Sequence, residues 1–118
     1  MPLALQLRQQ LADARRLMDG GEAASVLPEV ARLARDHPVY EVLVLLGECH
    51  LALGEAKQAV VPLAAATGLS DHPRPASLLA RALIETDQRD DALLICQRLL
   101  RRDPKNREAL TIMQQVRA

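Results

Sequence analysis

The chain has 118 residues, enough for one domain and not two, and its 15 basic and 15 acidic side chains leave no net formal charge. Leu and Ala supply 41 residues while Tyr40 is the only aromatic, so helix is favoured throughout and sheet formers are scarce. No apolar run approaches the roughly 18 residues of a membrane span, and two cysteines are too few for a disulfide framework.

Met1-Pro2-Leu3 carries neither a basic leader nor a small-residue cleavage pattern, so no signal peptide is expected. A first helix is predicted over 3–19, stopped by Gly20-Gly21, and a second over 22–36, stopped by Asp36-His37-Pro38. The third and fourth, 39–53 and 55–67, are separated at Gly54, and Asp71-His72-Pro73 closes the segment. The fifth and sixth, 74–86 and 89–102, break at Thr86-Asp87 and end at Asp103-Pro104; a last helix is predicted over 105–117. Pro28 and Pro62 fall inside the second and fourth helices, where each removes a backbone hydrogen bond and is expected to kink the helix.

Displaced by 33 residues, the chain matches itself. Ala14, Gly47 and Ala80 fall in register, as do Gly21, Gly54 and Asp87; Val26, Ala59 and Ala92; and Leu33, Ala66 and Leu99. A unit of this length cannot bury its own apolar face and must stack on copies of itself. The expectation is an all-α, right-handed α–α superhelix: a solenoid of three helical hairpins and a closing helix, about seven helices in a single domain over 1–118. Asp87 stands where the other copies have Gly, which its tolerance of left-handed geometry allows. Leu17, His50 and Leu83 share a row that reads as core. Cys96 aligns with Val30 and Leu63 as a small buried hydrophobe, and a Ser substitution is expected to cost more there than at Cys49.

The second copy, with Leu43, Leu46-Gly47, Gly54, Ala59, Leu63 and Ala66, resembles the tetratricopeptide repeat. The third follows with Leu79-Ala80, Leu83, Ala92, Leu99 and Asp103-Pro104, and the resemblance covers residues 7–104. Repeats are placed at about 7–39, 40–72 and 73–105, with a capping helix at 105–117. Gln10 and Asp13 replace an apolar pair in the first copy, as suits an N-terminal cap. The period also fits ankyrin repeats, but their Thr-Pro-Leu-His signature is missing.

The resemblance implies that the first helix of each unit lines a concave face. Projected there are Leu11, Val44, Ser77 and Leu110; Ala12, Leu45, Leu78 and Thr111; Met18, Leu51, Ile84 and Arg117; and a charged row of Arg15, Glu48, Arg81 and Gln114. Arg8, Glu41, Arg74 and Arg107 form a second such row. The expected partner-binding groove is Leu11, Arg15, Met18, Val44, Leu45, Glu48, Leu51, Leu78, Arg81 and Ile84. If these apolar rows lie open they form a groove for a partner's helix or extended segment; if the array curls tightly they are core. In the open case, Asp at both Leu45 and Leu78 leaves the fold intact and removes binding. Family members that clamp acidic chaperone C-termini use Lys and Asn where this chain has Leu11, Arg15, Leu45, Arg74 and Leu78, so that clamp is absent.

The resemblance implies a non-catalytic interaction module, an adaptor or small chaperone similar in layout to those of bacterial secretion systems, with another protein as partner; the two cysteines and the lack of a leader or membrane span point to a reduced, cytoplasmic protein. Adjacent helical residues point about 100° apart, so Cys49 and His50 do not make a nucleophile–base pair. No cofactor or metal is expected. The basic run from 98 to 118 has no aromatic stacking platform, so it reads as a solvated face with no nucleic-acid role and no membrane role. The rival class is a scaffold subunit that self-associates through its edges; the adaptor is expected to be a monomer or weak dimer when pure.

Overall fold

The computed structural model describes residues 4–117. Leu3, the expected start of the first helix, lies outside them, as do Met1 and Pro2 of the leader reading. Seven helices follow in order: α1 Leu5–Asp19, α2 Ala23–Asp36, α3 Tyr40–Ala52, α4 Ala56–Leu69, α5 Pro73–Glu85, α6 Arg89–Arg102 and α7 Arg107–Arg117. Among the described residues the regular structure is all helical.

The repetition in space is more regular than in sequence. Helices α2, α4 and α6 begin at 23, 56 and 89 and end at 36, 69 and 102, each displaced by one 33-residue period. Helix α4 continues through Gly68 to Leu69 like its counterparts, two residues beyond the expected end at 67. A Gly inside a helix costs about 1 kcal/mol, which α4 tolerates because its buried face, through Ala66, packs on α3 and α5. Pro28 and Pro62 lie within α2 and α4, and both helices continue through them.

The turn inside each hairpin is built the same way three times. Residues Gly21, Gly54 and Asp87 hold positive φ of 88°, 73° and 60°. Glu22, Glu55 and Gln88 then donate their N–H groups to the carbonyls of Leu17, His50 and Leu83 at 2.9, 2.8 and 2.7 Å. This closure satisfies helix-end carbonyls that would otherwise be orphaned, and it requires a residue that enters left-handed geometry. The row of Leu17, His50 and Leu83 is therefore defined by its backbone. Only Leu83 is buried; Leu17 is exposed and His50 is half-buried, its Nδ1 lying 2.9 Å from Glu55 Oε1, which corrects the expectation of a core row.

Each helix packs on the next, and α1, α3, α5 and α7 also pack on one another in sequence, whereas α2, α4 and α6 do not meet. The first helices thus form an inner layer and the second helices a splayed outer layer. The crossing inside the central hairpin is crowded: Gly47 of α3 faces α4, and a Cβ there would lie 2.5 Å from Leu63 Cγ, with Leu63 fully buried; Ala14 and Ala80 are the equivalent small residues of the flanking hairpins. On the outer helices Val26, Ala59 and Ala92 take the equivalent place, all buried. Helix α5 is enclosed most completely, burying every residue from Pro75 to Ala80.

Cys49 and Cys96 are both fully buried, so burial gives no reason for a larger loss at Cys96. Burial pushes the Cys49 thiol up to about 11, and raises Cys96 as well.

Overpacking the crossings should cost about 1–3 kcal/mol each for Gly47→Ala, Ala59→Leu and Ala92→Leu. Ala65→Leu, on the exposed face of α4, should change stability by no more than about 0.5 kcal/mol. Denaturant unfolding reads all four, and equal tolerance contradicts the crossing geometry. The thiols give a second prediction. A native thiol pKa above its unfolded value means that the unfolded state binds fewer protons as pH rises past the ordinary thiol range. Stability should therefore fall from about pH 9 towards 11, and Cys49→Ala should flatten that fall in pH-dependent unfolding.

Candidate functional site

The inner layer presents the concave face, and its most ordered feature is a line of alternating charge. Glu48 of α3 is 9 % exposed and is held by Arg15 of α1 through both carboxylate oxygens: Nη1 pairs with Oε2, and Nη2 donates to Oε1 at 3.2 Å. That hydrogen bond to Glu48 raises the Arg15 pKa above its ordinary value. Arg74 of α5 approaches Glu48 from the other side at 3.9 Å and reaches Glu108 of α7 at 3.8 Å. Four first helices are thereby linked by Arg15, Glu48, Arg74 and Glu108.

The expected row ran through Arg81 and Gln114. The structure replaces Arg81 by Arg74, seven residues or about 10 Å of rise nearer the start of α5. Arg81 instead points to an open hollow of about 330 Å³ between α5 and α7, shared with Arg107, Glu108 and Thr111. Both arginines flanking Glu48 are two-fifths to one-half exposed. Solvent screens such pairs, which contribute about 0–1 kcal/mol each. The line aligns the helices and leaves guanidinium surface facing outward.

The apolar rows divide. Leu45 and Leu78 are 1 % and 3 % exposed, and Val44 is also buried. Leu45 packs with Ala14, Val26, Val30 and Cys49, and Leu78 belongs to the larger core of α4 to α7. Of the two alternatives, these side chains are core and not open groove: Leu45 is enclosed by α1 and α2, and Leu78 by the neighbouring helices of its cluster. Leu11, Met18, Leu51 and Ile84 remain half-buried, packed against the core on one side and open on the other. Met18, Leu51 and Ile84 are one period apart and come from α1, α3 and α5. Of the remaining row members, Ser77 is buried, while Ala12, Leu110, Thr111, Gln114 and Arg117 are exposed. Leu110 and Arg74, projected onto this face by their spacing but not included in the expected groove, join the candidate face.

Cys49 and His50 are engaged separately. The Cys49 thiol is buried with its proton held by desolvation, and the His50 ring is engaged by Glu55. Among the described residues no cluster of three metal-binding side chains occurs, and no helix is long and apolar enough to cross a membrane.

Stacked antiparallel hairpins with left-handed turns at a fixed period define a helical-hairpin solenoid. A tetratricopeptide repeat model matches residues 63–116, from within α4 to α7. No curated protein matches the chain. The family match and the seven-helix stack together support a tetratricopeptide-type repeat protein, and the same left-handed turn recurs between α1 and α2. Such repeats in general mediate protein–protein interaction and are in general non-catalytic.

With Leu45 and Leu78 in the core, Leu45→Asp combined with Leu78→Asp should abolish the folded state, because each buries an unpaired carboxylate. Circular dichroism should show loss of cooperative melting; retention of the native melting temperature would return both leucines to an open groove.

Proposed function

We propose that the chain is a single domain of three repeats, about 7–39, 40–72 and 73–105, closed by a capping helix at 105–117. It acts as a non-catalytic adaptor or small chaperone that seats a helix or extended segment of a partner protein on its concave face. The observation that carries this reading is the recurrence of one half-buried apolar side chain per hairpin, Met18, Leu51 and Ile84, beside outward-facing guanidinium groups. An apolar strip with charged flanks suits an amphipathic segment: apolar contacts supply affinity and the charges set register. Leu11, Arg15, Met18, Leu51, Arg74, Arg81 and Ile84 are the contact residues, while Val44, Leu45, Glu48 and Leu78 hold the face in shape. Two buried, unpaired thiols suit a reducing, cytoplasmic setting.

The test is capture from the source cell with the full chain, followed by mass spectrometry and titration of the captured protein. Leu51→Ser with Ile84→Ser should weaken binding at least about tenfold, since each forfeits roughly 1 kcal/mol or more of apolar burial. Arg81→Glu is exposed and should weaken binding while leaving the melting temperature unchanged. The partner should raise the melting temperature of the chain. A melting temperature that rises instead with the chain's own concentration, with no captured partner, overturns this reading in favour of a self-associating scaffold.

A further inference from the structure

Because α4 and α6 do not meet, a cleft of about 390 Å³ opens between them on the outer layer, away from the concave face. Its floor is aliphatic, from Pro73 and Ala76 of α5 and Ile95 and Leu99 of α6, and its rim carries Arg98, Arg101 and Arg102. Only Asp71 opposes them. Its backbone carbonyl accepts from Arg102 at 3.1 Å and its carboxylate lies 3.7 Å from the same guanidinium. Among the described residues no carboxylate pairs with Arg98 or Arg101, and both are exposed.

The repeat supplies an internal control. One period earlier, between α2 and α4, the positions of Arg98, Arg101 and Arg102 hold Ala65, Gly68 and Leu69. The floor positions there hold Tyr40, Leu43, Pro62 and Ala66, bulkier on the side of the first helix and smaller on the side of the second. The same framework is therefore built without the arginines, and only the third repeat carries a cationic rim with small residues, Pro73 and Ala76, on the α5 side of its floor.

We infer that the α4–α6 cleft is a second docking site, taking an acidic segment of a partner protein that inserts an aliphatic side chain between carboxylates. The volume falls within the range of ligand-sized pockets. The aliphatic floor takes the apolar side chain, and the three guanidinium groups pair with carboxylates in charge-assisted contacts. A nucleic acid finds the charge but no aromatic surface for base stacking, which disfavours it here. The site shares no residue with the proposed concave contacts, so it stands or falls separately from them.

A short fluorescein-labelled peptide alternating Glu with Leu tests it, titrated with the full chain at low salt and read by anisotropy. Saturable binding is expected, weaker at raised salt, and at least about tenfold weaker for Arg98→Glu combined with Arg101→Glu. Both side chains are exposed, so melting should be unaffected. Ala76→Leu, which restores the residue of the preceding repeat, should reduce affinity to that of a Glu–Ala peptide of equal length. Arg81→Glu on the concave face should bind the peptide as the unaltered chain does. Absent binding, unchanged affinity after the double charge reversal, or equal affinity for Glu–Ala and Glu–Leu peptides overturns the proposal. So does a single-stranded RNA oligonucleotide that binds more tightly and is displaced by the peptide.

Discussion

The structure depends on how closely two helices approach where Gly47 of α3 faces Leu63 of α4. With Leu63 fully buried and a Cβ at position 47 sterically excluded, the distance between these helices is set by the absence of a side chain. Ala14 and Ala80 occupy the same place in the flanking hairpins. Close-packed interiors transmit such constraints, since the neighbouring atoms have no free volume into which to retreat. The small residue therefore sets the thickness of each hairpin, and the stack of hairpins inherits its spacing.

Close stacking of the hairpins has two consequences. Helices α3 and α5 are each packed against both helices of the preceding hairpin, which draws Leu45 and Leu78 into the core and leaves Met18, Leu51 and Ile84 half-open. It also brings Glu48 between arginines from two other helices, where a carboxylate loses much of its water and needs those partners. Outer helices that fail to touch leave clefts instead. The two proposed docking surfaces thus follow from one arrangement: first helices in contact from hairpin to hairpin and second helices apart.

Much of this is local and was legible in the chain. The 33-residue period, the left-handed turns at Gly21, Gly54 and Asp87, and the helix boundaries to within about two residues follow from backbone preferences that a residue carries wherever it sits. The end of α4 shows the limit of that reasoning: the helix runs two residues past its expected end at 67, while its buried face packs on α3 and α5. His50 shows another limit. Its row read as core because Leu occupies the equivalent positions, whereas turn closure uses their carbonyl groups and leaves the side chains different fates.

What the sequence by itself determined is the unit: which residues form helices, where each hairpin turns, and that copies must stack to bury Leu and Ala. Only the tertiary structure decided how tightly they stack. Exposure of Leu45, the choice of Arg74 over Arg81 beside Glu48, and the cleft beneath Arg98 and Arg101 all depend on the relative placement of helices one repeat apart. That placement is the sum of many small side-chain contacts, each worth a fraction of a kcal/mol, and no single residue or spacing encodes it.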